Sequence, residues 1–139
     1  MARARVFLHR CLEEYGPSDP SLYAVAAERF LAANLPLEAA VAYEMGIETF
    51  PKEPERYSSA IDIYISMREY EKAEHIFDRV IRQFGAHPRT LLKMAYFYLE
   101  WHKKDNAAAA AYRALSLDST LTEARTLLDA IDGKTSSAS

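Results

Sequence analysis

The side chains most able to carry out chemistry in this sequence are four histidines, one cysteine and the acidic residues. The histidines are His9, His75, His87 and His102. No two of them stand three or four positions apart with a carboxylate to complete the set, as helical zinc ligands require. Cys11 is the only cysteine, and we expect it to pack as a small apolar group. The sequence therefore predicts no bound metal.

The serines, glycines and carboxylates are not arranged as a catalytic set either. No serine stands in the context of a nucleophile elbow, and the four glycines do not form a phosphate-binding loop. Neighbouring carboxylates such as Glu13 and Glu14 point in different directions on a helix, so they cannot act as an acid–base pair. We expect a protein that is not an enzyme and that uses no cofactor.

The composition argues against nucleic acid and membranes as partners. The chain has 139 residues, of which 50% are hydrophobic, enough for the core of one domain. The net charge is −3 with both signs interspersed, so no basic footprint for direct binding of nucleic acid is present. No stretch approaches the roughly 20 apolar residues of a membrane-spanning helix, and the first residues do not resemble a secretory signal. We expect a cytoplasmic protein without membrane insertion.

A repeat of 34 residues dominates the sequence. Pro20, Pro54 and Pro88 are separated by this distance. Three further sets keep the same register: Tyr23, Tyr57 and Leu91; Phe30, Tyr64 and Tyr98; Ala39, Ala73 and Ala107. Within each window the apolar residues recur at helical spacing, first after the proline and again after a short break. Each window is therefore predicted to form two helices joined by a turn.

Small residues predict where the two helices of a repeat touch. Ala27 faces Ala39 in the first repeat, and Ala95 faces Ala107 in the third. Alanine at such positions lets two backbones approach to the short end of the usual interaxial range of about 8–10 Å. The aromatic residues are expected to fill the space between successive helices.

These residues resemble the tetratricopeptide repeat family, whose 34-residue unit has an aromatic residue early in its first helix and an alanine early in its second. The resemblance covers residues 20 to about 119. It implies an all-α fold, a right-handed α-solenoid of helix-turn-helix repeats with about eight helices. The departures are Leu91 at an aromatic position, Ile61 at a small position, Gly85 and Ser119 at the position of Pro51, and Ala111 where Tyr43 and Phe77 stand in the earlier repeats.

The predicted organisation is a single domain over residues 1–133. It comprises a half repeat at 2–16, repeats at 20–53, 54–87 and 88–119, and a capping helix at 120–132. Residues 134–139 are predicted to be a disordered tail. Asp19 is the predicted N-cap of the first repeat, and the spacing of Thr120 and Glu123 predicts a capping box at the start of the last helix.

The half repeat leaves an alternative open. Its helix has no preceding first helix to cover it, so Val6 and Phe7 would lie on an exposed face, on a dimer surface, or against a part of a longer solenoid. Residues 73–100 also resemble half-tetratricopeptide (HAT) repeats, found in RNA-processing scaffolds that often self-associate. The alternative function is therefore a self-associating scaffold subunit, HAT-like within an RNA-processing assembly, which forms a homodimer through residues 2–16.

The main functional prediction follows from the family resemblance. It implies a protein–protein interaction module, an adaptor or scaffold, that holds a peptide or protein on the concave face formed by the first helices. By register, this face has an acidic first two-thirds, a basic last repeat and an aliphatic strip, which suits a peptide with an apolar anchor. The predicted partner-binding residues are Glu28, Leu31, Glu55, Ser59, Asp62, Ile65, Arg89, Lys93, Tyr96 and Leu99.

One ligand class of the family is not expected here. Members that dock chaperone tails grip a C-terminal carboxylate with five cationic or amide side chains. In this sequence Ala24, Glu28 and Ser59 occupy three of those positions, and only Arg89 and Lys93 match. Because Glu28 would repel a carboxylate, we predict no docking to heat-shock chaperone tails.

Overall fold

Helices make up most of the described chain. The computed structural model describes residues 2–133, and of residues 2–5 and 7 it describes the backbone alone. Within this range there are eight α-helices and no strand, which confirms the predicted all-α class. Their bounds are α1 Ala2–Tyr15, α2 Ser21–Ala32, α3 Pro36–Thr49, α4 Pro54–Ser66, α5 Tyr70–Phe84, α6 Pro88–Glu100, α7 Lys104–Leu117 and α8 Thr122–Asp132.

Helix starts follow the repeated prolines. Pro54 and Pro88 open α4 and α6, where the missing N–H costs no hydrogen bond. Pro20 directly precedes α2, and the carboxylate of Asp19 accepts hydrogen bonds from the backbone N–H and the hydroxyl of Ser21, at 3.2 and 2.6 Å. Asp19 thus accepts donors at the helix start, but the N-cap position of α2 is Pro20, one residue later than predicted.

The turn inside each repeat has one backbone conformation. Asn34, Arg68 and His102, each 34 residues from the next, have φ of 60°, 59° and 61°. In all three turns the following residue donates its N–H to a carbonyl five positions earlier, at 2.8 Å. This left-handed ending closes the last turn of the first helix. Asparagine adopts it readily, whereas arginine and histidine do so less often, so residue type alone predicts only the first of the three.

The start of α8 differs from the prediction. The hydroxyl of Thr120 donates to the carboxylate of Asp118 at 2.5 Å, and the carboxylate of Glu123 accepts a hydrogen bond from Arg89 at 3.0 Å. The predicted capping box between Thr120 and Glu123 is therefore wrong. Each side chain instead has an ionised partner, and the start of α8 has no side-chain capping hydrogen bond.

The described residues group into two compact units, one ending at Gln83 and the other beginning at Phe84. The predicted single domain over residues 1–133 stays a prediction. In the first unit α1 packs on α2 and α3, α2 on α3, and α3 on α4. Ala27 and Ala39 have no exposed surface, and neither have Ala60 and Ala73 in the next repeat. Small residues are therefore fully buried at corresponding positions of both repeats in this unit.

The second unit is built in the same way and closed by α8. Helix α6 packs on α7, and α7 on α8, with Ala95 and Ala107 fully buried. Helix α8 buries its apolar stripe and exposes the polar residues of its other side. The buried residues are Ala124, Leu127 and Leu128, and the exposed ones include Thr122, Glu123, Arg125 and Thr126. This polar outer side is what a terminal capping helix requires.

Two predictions concern parts that are not described. The predicted disordered tail at residues 134–139 lies outside the described residues, as does the side chain of Phe7. Among the helices that are described, none is both long enough and apolar enough to cross a membrane.

Candidate functional site

The candidate site consists of the outward sides of the first helices, which we call the first-helix faces. In α2 the residues Tyr23, Ala27 and Phe30 are buried on one side, at the three- and four-residue spacing of one helix face. The remaining surface of α2 carries exposed apolar residues, with Val25 45% and Leu31 43% exposed. A helix that leaves such residues in solvent has a surface available for a partner.

In the first unit all six predicted partner-binding residues are accessible. Glu28 and Leu31 on α2 are exposed. On α4 the predicted residues are Glu55, Ser59, Asp62 and Ile65, of which Glu55 and Asp62 are exposed and the other two half-buried. The same helix buries Tyr57, Ala60, Ile61 and Tyr64 on its other sides. The register thus separates accessible residues from core residues in α2 and α4.

In the second unit the four predicted residues lie on α6. Arg89, Lys93 and Tyr96 are exposed, Tyr96 by 49%, and Leu99 is half-buried. The guanidinium of Arg89 is 3.0 Å from the carboxylate of Glu123 on α8, with both side chains more than half exposed. Solvent weakens such an ion pair. Even so, the carboxylate of Glu123 neutralises part of the positive charge on α6. Sequence reasoning missed this pairing because Glu123 was assigned to a capping box.

Aromatic side chains cluster at the end of α6. The rings of Tyr98 and Trp101 are stacked with centroids 6.3 Å apart, and the ring of Phe97 lies 5.7 Å from that of Trp101. The ammonium group of Lys103 stands 3.7 Å from the centre of the Trp101 ring, a cation–π contact. This cluster lies directly after Tyr96 in the chain.

A cleft in the first unit with apolar and charged lining residues was not predicted. It encloses about 440 Å³ and is lined by Leu37, Val41, Glu44, Tyr64, Glu71, Lys72 and His75. The hydroxyl of Tyr64 donates a hydrogen bond to the carboxylate of Glu44. Burial raises the pKa of the Tyr64 hydroxyl, and the hydrogen bond to Glu44 raises it further. Tyr64 therefore stays a neutral phenol near neutral pH, and its hydrogen bond to Glu44 links α4 to α3.

Groups with potential catalytic chemistry are dispersed. In the described part of the chain, no three histidine, cysteine, aspartate or glutamate side chains gather in a way that could hold a metal ion. Cys11 is a half-buried free thiol. The sequence signal for metal or nucleophile chemistry was weak, and the described residues add no new candidate set.

Comparison with solved structures finds similar helical proteins at low sequence identity. One is described as "YrrB: a TPR protein with an unusual peptide-binding site"; it is 19% identical, with a TM-score of 0.60 over 89% of this chain and 63% of its own. Another is described as "First TPR of Spaghetti (RPAP3) bound to HSP90 peptide SRMEEVD"; it is 17% identical, with a TM-score of 0.61 over 85% of this chain and 92% of its own. The chain has the tetratricopeptide repeat fold.

One further solved structure has the same fold, and two other comparisons found no match. A structure of MamA is 16% identical, with a TM-score of 0.65 over 90% of this chain and 75% of its own. No protein-family model and no curated protein matches the chain. The α-solenoid class predicted from the repeat is confirmed, whereas the resemblance of residues 73–100 to half-tetratricopeptide repeats stays a prediction. The chain spans 63% of the length of YrrB, less than two-thirds.

Proposed function

We propose that the chain is a non-catalytic protein–protein interaction module, an adaptor or scaffold, that binds a peptide or protein through its first-helix faces. The observation that carries this proposal is the accessibility of all ten predicted residues on α2, α4 and α6, next to buried residues of the same helices. Two structures of the same fold are described as having a peptide-binding site or a bound peptide. In the family these helices form the concave face.

Charge and apolar surface define the partner that each unit would bind. In the first unit the faces of α2 and α4 carry the carboxylates of Glu28, Glu55 and Asp62 beside the apolar Leu31. This combination favours a basic segment with an aliphatic anchor. In the second unit the exposed ring of Tyr96 offers a large rigid contact area, the kind of side chain that dominates binding energy at interfaces.

Chaperone tails remain outside the proposal. Glu28 is exposed on α2, where its carboxylate would meet the terminal carboxylate of such a tail. The two retained cations, Arg89 and Lys93, already have partners within the chain, Arg89 in its ion pair with Glu123. We therefore propose a ligand that is bound along the faces and not held by its C-terminus.

A cytoplasmic location is part of the proposal. The single free thiol of Cys11 provides no disulfide framework, which is in keeping with a reducing compartment.

Two substitutions on the first-helix faces are expected to abolish partner capture. Tyr96→Ala removes the exposed ring, and Asp62→Lys reverses a charge on α4. We expect each to weaken binding about tenfold or more, which is the usual cost of losing a central contact. The measurement is affinity capture from native lysate with wild-type and variant proteins, followed by titration of the captured partner.

The chain provides matched controls for both changes. Tyr112 is 59% exposed on α7 and Asp78 is exposed on α5. Tyr112→Ala and Asp78→Lys alter second helices by the same chemistry and should leave capture intact, with unchanged helicity in all four variants. Retention of the partner by Tyr96→Ala and Asp62→Lys, or an equal loss in the controls, would show that the binding surface lies elsewhere.

The alternative function has one observation in its favour. Val6 on α1 is 58% exposed, although it is a large apolar residue on the half repeat. A self-associating scaffold would cover it, in a HAT-like assembly or another. Light scattering across an about hundredfold dilution should then show a dimer mass that falls with concentration, and Val6→Glu should give a monomer throughout. A constant monomer mass for the wild type would remove this alternative.

A further inference from the structure

A second cleft in the first unit has a different chemical character. It encloses about 330 Å³ and is lined by Pro51, Tyr57, Arg79, Arg82 and Gln83. Two of these five residues carry guanidinium groups, one carries an amide, and no carboxylate is among them. In a chain with a net charge of −3, such a lining is a local positive site. We call it the arginine cleft.

The first repeat shows what is unusual about this cleft. One repeat earlier, the positions of Arg79, Arg82 and Gln83 are occupied by Met45, Glu48 and Thr49. There the hydroxyl of Tyr23 donates to the hydroxyl of Thr49 at 3.1 Å, and the guanidinium of Arg56 covers the Tyr23 ring at 5.7 Å. These contacts occupy the space above the first tyrosine.

In the second repeat the corresponding tyrosine is bonded differently. The hydroxyl of Tyr57 donates to the carbonyl of Pro51, in the loop before α4, at 2.7 Å. On α5 a methionine and a glutamate have been replaced by arginines, at the positions of Arg79 and Arg82. Residues three apart on a helix lie on the same side, so the two guanidiniums share the cleft.

Arg79 retains the capacity to bind an anion. Its nearest carboxylate is that of Glu44 at 3.9 Å, which is too long for a hydrogen bond, and Glu44 also accepts the hydroxyl of Tyr64. A guanidinium has five N–H donors. Only 23% of the Arg79 side chain is exposed, so its charge acts in a partly desolvated site. The charge of Arg79 also acts on Tyr57, another residue of the cleft. Burial raises the pKa of the Tyr57 hydroxyl, and the positive charge of Arg79 opposes that rise.

We propose that the arginine cleft is a binding site for an oxyanion, a carboxylate or phosphate group, with Arg79 and Arg82 as its main ligands and Gln83 as a further donor. Paired guanidinium forks match the geometry of both groups. The site goes beyond the proposed function, because it uses the second helix α5 and the loop before α4 instead of the first-helix faces. The oxyanion could be free inorganic phosphate or an acidic side chain of a bound protein.

Titration of the full chain can separate these two sources. The measurement is the ¹H–¹⁵N spectrum of the arginine Nε–H groups, with inorganic phosphate in one series and a tetraglutamate peptide in another. Tetraglutamine is the control for the peptide. We expect saturable shifts of the Arg79 and Arg82 signals that weaken as salt rises, since ions screen the attraction.

Variants test the assignment of the ligands. Arg82 is exposed, so Arg82→Gln should leave the fold intact and weaken binding about tenfold, whereas Arg113→Gln on α7 should not change it. Glu44→Gln keeps an acceptor for Tyr64 but removes the competing charge, so it should strengthen binding several-fold. Weaker binding by Arg82→Gln together with stronger binding by Glu44→Gln would show that electrostatic attraction holds the anion.

The outcomes separate the two sources of the oxyanion from each other and from failure of the proposal. Saturation by phosphate supports a site for the free ion, and saturation by tetraglutamate alone supports a site for acidic side chains. Absence of saturation with both probes overturns the proposal, as does binding that Arg82→Gln leaves unchanged or that Glu44→Gln weakens. None of these results depends on the partner of the first-helix faces, so this proposal and the proposed function can fail separately.

Discussion

Replacing Phe30 with alanine is expected to lower the free energy of unfolding by about 3–5 kcal/mol. The side chain is only 2% exposed on the buried side of α2, and its ring lies 5.6 Å from that of His9 on α1. The substitution removes buried apolar surface and leaves a cavity between the half repeat and the first repeat, and both losses add to the cost.

Urea unfolding followed by circular dichroism measures this loss. The adjacent Leu31 is the matched control, because it is 43% exposed on the same helix. Leu31→Ala should change stability by about 0.5 kcal/mol or less, as surface substitutions usually do. A loss for Phe30→Ala that is no larger than that of Leu31→Ala would contradict the assigned core.

Gly46→Ala is expected to destabilise the chain by about 1–3 kcal/mol, although alanine is the better helix former. A Cβ atom at this position would lie 2.6 Å from Cδ of Arg56 and 2.9 Å from Cγ of Tyr23. Tyr23 is 1% exposed and has little room to move. The equivalent residues of the later repeats, Val80 and Ala114, carry side chains, so the constraint belongs to this particular contact of α3.

A double-mutant cycle identifies the cause of this destabilisation. Arg56 lies across Tyr23 and donates a hydrogen bond to the carbonyl of Pro20 at 3.1 Å, which fixes its position. Arg56→Ala removes the side-chain atoms that a Cβ would meet most closely. The double variant should therefore be less destabilised than the sum of the two single variants. Additive losses, measured by the same unfolding experiment, would show that Arg56 does not create the constraint.

The repeat is the part of this fold that the sequence could predict. Prolines, alanines and aromatics at a 34-residue spacing are local signals, and the structure has its helix pairs where they indicate. Burial also follows the register: Ala27, Ala39, Ala95 and Ala107 have no exposed surface. The accessible residues of the first-helix faces occupy the remaining positions of the same helices. The sequence could therefore predict them from the register of the buried residues.

Features that depend on distant residues could not be predicted. The left-handed turns at Arg68 and His102 are required by the geometry of the helix pair, not by residue type. The capping box was wrong because Arg89, 34 residues before Glu123, binds that carboxylate.

The arginine cleft was missed for a related reason. Arg79 and Arg82 appear in the sequence as ordinary charges of a solvated helix. Their significance depends on Tyr57 and the loop at Pro51, which fold against α5 from a position more than 20 residues earlier.

Amide hydrogen exchange, measured with and without the captured partner, tests the central claim most directly. Binding through the first-helix faces predicts that slowed exchange appears in α2, α4 and α6, since a bound partner suppresses the local opening of the helices that it contacts. Unchanged exchange in all three of these helices, with protection only in α3, α5 or α7, would contradict the account.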